Sequence, residues 1–65
     1  MHGGQLIKTM RIKREYNQDE LAEMIGIGTR TLQRWESKQS EPRWSDVVSV
    51  ASLLNCDLWG LDAIN

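Results

Sequence analysis

The spacing around Gly26 restricts this chain more than anything else in it. Two short amphipathic helical patterns, one ending at Ile25 and one starting by Thr29, are separated only by Gly26-Ile27-Gly28. So short a connection turns the second helix back across the first, and a steep crossing packs closely only where its side chains are small. Ala22 stands four residues before Gly26, on the apolar side of the first pattern. Glycine accepts the left-handed conformation that ends a helix, so Gly26 is the expected stop.

The first pattern opens with Asn17-Gln18-Asp19-Glu20. Asparagine is a favoured N-cap, and a glutamate three residues on completes a capping box. Asp19 and Glu20 also sit where the helix dipole favours negative charge. Leu21, Ala22, Met24 and Ile25 then gather on one side, with Asp19, Glu20 and Glu23 on the other. The second pattern is expected from about Gly28–Thr29 to about Lys38. Leu32 and Trp35 mark its inward side, and Arg30, Gln33, Arg34 and Ser37 its outward side.

Around this unit the chain reads as further helices. Leu6, Ile7 and Met10 share a face, which predicts a first helix over about 4–15. Residues 1–5, with His2 and Gly3-Gly4, are expected to be a flexible, exposed tail. Tyr16 is expected as a buried bridge, and Lys38–Trp44 as a polar loop closed by Pro42. Ser45 is the expected N-cap of a fourth helix with Asp46 in its first turn. Val47, Val48, Val50, Ala51, Leu53 and Leu54 make it the most apolar element, expected at the centre. Asn55 can take a left-handed exit, and Asp57 can cap a fifth, short helix carrying Leu58, Trp59, Leu61 and Ile64. Met10 and Met24 are expected in the core, Trp35 and Trp44 in core or loop packing, and Cys56 as a small buried apolar residue. The expected fold is all-α: five helices in one compact domain over 6–65, with a helix-turn-helix at about 18–37.

Composition narrows the chemistry. A chain of 65 residues gains only about 3–5 kcal/mol from a single core. One cysteine and one histidine exclude an intrachain disulfide, a thiolate zinc site and the usual nucleophile–histidine pairs. An enzyme is therefore not expected, and neither is a metal, cofactor or small-molecule ligand. No apolar run approaches the ~20 residues of a membrane span, and no signal-peptide pattern is visible. A binding protein in the cytoplasm is the expectation. The formal charge of −1 argues against nucleic acid only as a total. Residues 1–43 hold all eight basic side chains and six acidic ones, whereas residues 44–65 hold three acidic and none basic.

The residues Gln18-x-x-Leu21-Ala22-x-x-x-Gly26-Ile27, followed by Leu32-x-x-Trp35-Glu36, carry a resemblance. Together with Met10-Arg11, Pro42 and Ala51-x-x-Leu54, they resemble the lambdoid-repressor/Cro-type (XRE) helix-turn-helix family over roughly residues 6–62. The resemblance implies a bacterial or phage regulator that binds operator DNA, usually as a dimer, in the cytoplasm and associated with the nucleoid. By it, Thr29, Arg30, Gln33 and Arg34 stand at base-reading positions. Gln18 is implied at a phosphate or as a brace for helix 3, and Thr31, Ser37, Lys38 and Arg43 at phosphates. Arg11 and Glu36 are implied as an ion pair tying helix 1 to helix 3. The side chains suit these roles. Arginine pairs with guanine O6/N7, glutamine reads adenine or bonds a phosphate, and threonine offers a methyl to thymine and a hydroxyl to phosphate. Lys13 and Arg14 are expected to add non-specific phosphate contacts.

Four positions depart from the family pattern. Glu15 stands where a glycine commonly ends helix 1, so that exit is expected to be strained or extended. Gly28 replaces a Ser/Thr-type N-cap. Lys38 stands where a glycine often follows, so helix 3 is expected to run on, and Glu41 is expected to weaken the loop's affinity for phosphate. Leu58, Trp59, Leu61 and Ile64 are either core or dimer contacts. The expected function is a Cro-like or small repressor acting as a homodimer on double-stranded DNA. The alternative is a helix-turn-helix module that binds a protein, such as an antirepressor, antitoxin or adaptor. The acidic face of helix 2 favours the alternative, and arginines on an exposed helix are also compatible with a plain solvated face.

Overall fold

Four helices account for the regular structure of residues 2–56, the part described by the computed structural model. They are α1 (Gly3–Lys13), α2 (Gln18–Ile25), α3 (Thr29–Glu36) and α4 (Trp44–Leu53). No strand occurs among the described residues. The all-α expectation therefore holds with four helices rather than five. The expected fifth helix, with Leu58, Trp59, Leu61 and Ile64, lies outside the described residues.

All four helices end in the same way. Within two residues of each helix end stands a residue of positive φ: Glu15 at 62°, Gly26 at 76°, Lys38 at 68° and Asn55 at 54°. In each case its N–H and the next one turn back onto the last carbonyls, as in Ile27 N–H to Ala22 O at 3.0 Å and Cys56 N–H to Ala51 O at 2.8 Å. This is the Schellman arrangement, which satisfies carbonyls that would otherwise lack partners. Tyr16, Ile27 and Cys56, one residue further on, pack against the core. Their burial holds the turn even where the left-handed residue is not glycine. Helix 3 stops at Glu36 instead of continuing to Lys38, which takes the left-handed conformation, and helix 1 stops at Lys13 instead of 15.

The starts are capped more variously. Asn17 Oδ1 accepts from Glu20 N–H, and Glu20 Oε1 accepts from Asn17 N–H, both at 2.8 Å, which completes the expected capping box. Helix 4 begins two residues earlier than expected, with Arg43 rather than Ser45 at the N-cap. Asp46 decides this by accepting from the Arg43 N–H at 3.0 Å.

The expected tail is overturned from His2 onward. His2 caps α1, its Nδ1 accepting from Gly4 N–H at 3.0 Å, and Glu41 Oε2 accepts from Gly3 N–H at 3.0 Å. His2 Nε2 also meets Glu41 Oε1 at 3.0 Å. Gly3 and Gly4 are buried. A Cβ on Gly4 would overlap the Trp35 carbonyl, so glycine is required for α1 to sit against the end of α3.

The core is built from Ile7 and Met10 of α1, Leu21 and Ala22 of α2, Leu32 and Trp35 of α3, and Val47, Val50, Ala51 and Leu54 in and after α4. Gly3 lies against Pro42 and Val47, while Arg14 reaches the Leu54 carbonyl. Helices α1 and α4 therefore run side by side in the same direction. Several apolar residues expected inside are exposed. Met24 lies at the margin of the α2 face centred on Leu21 and Ala22, and Val48 and Leu53 flank the buried stripe of α4. Among the described residues, α4 buries Val47, Val50 and Ala51 and packs against both α1 and α2. Trp44, in its first turn, is 57% exposed.

Candidate nucleic-acid interface

The carboxylate of Glu36 organises the site. It is only 6% exposed, at the inward end of α3. Arg11 Nε donates to Glu36 Oε2 and Arg11 Nη2 to Glu36 Oε1, both at 2.8 Å, while Arg11 Nη1 donates to the Tyr16 carbonyl at 2.9 Å. Gln18 Nε2 adds a bond to Glu36 Oε1 at 3.0 Å. One carboxylate thus joins α1, α2 and α3. Hydrogen bonding to Glu36 raises the Arg11 pKa from its already high ordinary value, with their opposite charges adding and burial opposing. The ion pair implied by the family resemblance is present, and Gln18 braces α3.

Pinning Glu36 inward leaves the outer side of α3 without an acid, since Glu36 is the helix's only acidic residue. Arg30, Gln33, Arg34 and Ser37 line a shallow hollow that Gln18 and Gln39 complete. Gln18 enters it from the start of α2. Gln39 enters because Lys38 takes the left-handed turn and the Gln39 N–H folds back to the Arg34 carbonyl at 2.9 Å. Gln39 was not legible in the sequence, because its position depends on a left-handed lysine. Ser37 Oγ donates to the Arg34 carbonyl at 3.3 Å. Thr31, Lys38 and Arg43 are exposed but outside this hollow.

Thr29 is separated from the arginines. It lines a second hollow with Asn17, Asp19, Glu20 and Glu23, and its Oγ1 donates to Asp19 Oδ1 at 2.7 Å. The hydroxyl of this expected base-reading residue is engaged within the protein. Arg14 is also redirected: its Nε donates to the Leu54 carbonyl at 2.8 Å and its Nη2 to the Asn55 carbonyl at 2.7 Å. A cation there satisfies the end of α4 and its dipole. Glu41, expected to oppose phosphate from the loop, is turned to the start of α1.

Among the described residues, no group of three His, Cys, Asp or Glu side chains is placed to hold a metal ion, and no helix is long and apolar enough to cross a membrane.

Two eight-residue helices joined by a tight turn at Gly26, the second with a polar outward face, make this a helix-turn-helix protein. Residues 7–58 match the helix-turn-helix family model, and the chain belongs to the Cro/C1-type helix-turn-helix (XRE) family, a family of DNA-binding regulatory domains. No curated protein and no solved structure matches the chain significantly.

Proposed function

We propose that this protein is a sequence-specific regulator of transcription that binds double-stranded operator DNA, in the manner of a Cro-like or small repressor. The observation that carries this reading is the acid-free outer face of α3, where Arg30, Gln33 and Arg34 converge with Gln18 and Gln39. A helix of this width fits a major groove ~12 Å across, and arginine is the commonest reader of guanine there. In this reading Arg30, Gln33 and Arg34 address base edges, while Gln18, Ser37, Lys38 and Arg43 address phosphates, with Thr31 beside them. Thr29 addresses a base. Two copies of the chain bind half-sites about one turn, ~34 Å, apart. The cytoplasm is the compartment where such DNA lies.

The competing reading, a module that binds a protein partner, draws on the exposed acids Asp19, Glu20 and Glu23 beside half-exposed Met24. Titrating a labelled duplex, selected from a random pool, at two salt concentrations separates the two. The DNA reading expects binding that weakens steeply with salt. It also expects a loss of tenfold or more on Arg30→Ala combined with Arg34→Ala, at ~1–3 kcal/mol per bidentate contact. Salt-insensitive or absent binding, or no loss in the double variant, sinks it.

A further inference from the structure

The side chain at the start of α3 has only part of its hydrogen-bonding capacity left. Thr29 Oγ1 lies 2.7 Å from Asp19 Oδ1. A carboxylate only accepts, so the single hydroxyl hydrogen of Thr29 is directed at Asp19. What Thr29 presents outward is an acceptor oxygen and a methyl group. Its surroundings add to this bias: Thr29 shares its hollow with Asp19, Glu20 and Glu23, not with the arginines. Phosphate oxygens, guanine O6 and N7, adenine N7 and thymine O4 are all acceptors, so the Thr29 side chain has no donor to offer them. The groups that fit are the amino groups of adenine and cytosine, and the thymine methyl.

We propose that Asp19 is a specificity-determining residue that acts through Thr29. By holding the hydroxyl hydrogen, it makes Thr29 select a base edge presenting an amino or methyl group and reject guanine. Asp19 is a positioning residue here and does not itself touch the base. The proposal rests on the DNA-binding reading above.

The experiment is selection from a random duplex pool with the wild-type protein, Asp19→Ala, Thr29→Val and the double variant. Far-UV circular dichroism and the thermal midpoint serve as controls of folding. Asp19→Ala frees the hydroxyl to donate, so guanine should rise about fivefold at one position of the site while the other positions keep their preferences. Thr29→Val keeps the methyl and loses the oxygen. It should abolish any preference for an amino group at that position, and Asp19→Ala should then add nothing to the pattern. A uniform gain in affinity with an unchanged pattern would mean that Asp19 acts only by its charge, and overturns the proposal. A further change of pattern in the Thr29→Val background would mean that Asp19 meets the base directly, and overturns it too. If the wild-type protein enriches no sequence, the DNA-binding reading itself fails and the proposal goes with it.

Discussion

Glu36 is an acid inside an otherwise apolar core, which is costly unless the charge is matched. Two bonds from Arg11 and one from Gln18 match it. Removing one partner leaves a desolvated charge, and that penalty exceeds what the pair contributes in net stability. Arg11→Ala should therefore lose about 3–5 kcal/mol of folding stability, measured by urea denaturation. Gln18→Ala leaves the ion pair intact and should lose only about 1 kcal/mol. Equal losses would contradict this division of labour. The pair was legible in the sequence only through family resemblance, since nothing in the local pattern places residues 25 positions apart in contact.

The helix ends show where local chemistry suffices and where it does not. Gly26 and Asn55 announce left-handed exits by residue type. Glu15 and Lys38 do not, yet they adopt the same conformation, with φ of 62° and 68°. The available signal at Glu15 was the next residue, Tyr16, whose packing against the core fixes the turn. At Lys38 the following residue is the polar Gln39, so the sequence offered no such mark. A left-handed non-glycine residue costs about 1–2 kcal/mol, partly offset by the greater freedom glycine has when unfolded. Glu15→Gly should thus stabilise the protein by about 0.5–1 kcal/mol, whereas Gly26→Ala should destabilise it by about 1 kcal/mol. Thermal and denaturant midpoints of the two variants check both signs.

The arrangement of charge across the protein differs from the count along its sequence. Arg11 is consumed by Glu36 and Arg14 by the end of α4, so two of the eight basic residues serve the fold. Under the DNA-binding reading, Arg43→Ala should lower the slope of log affinity against log salt by about 0.9, the value for one phosphate contact. Arg14→Ala should leave that slope unchanged and instead reduce stability, by roughly 1–2 kcal/mol for the lost charged hydrogen bonds. A matching fall in slope for Arg14→Ala would return that residue to the DNA face.

By itself the sequence determined that the chain is helical, that α2 begins at the Asn17 box and stops at Gly26, and that α3 turns Leu32 and Trp35 inward. These follow from periodicity and capping, which act over three or four residues. Only the tertiary structure decided the rest. It made His2 through Gln5 the capped start of α1 rather than a tail, because Glu41 and the end of α3 supply partners from far along the chain. It exposed Met24, Val48 and Leu53, because a helix can bury only the stripe its neighbours cover. It set Thr29 against Asp19 and brought Gln39 beside Arg34, because the direction of a side chain's last bond depends on what has folded next to it.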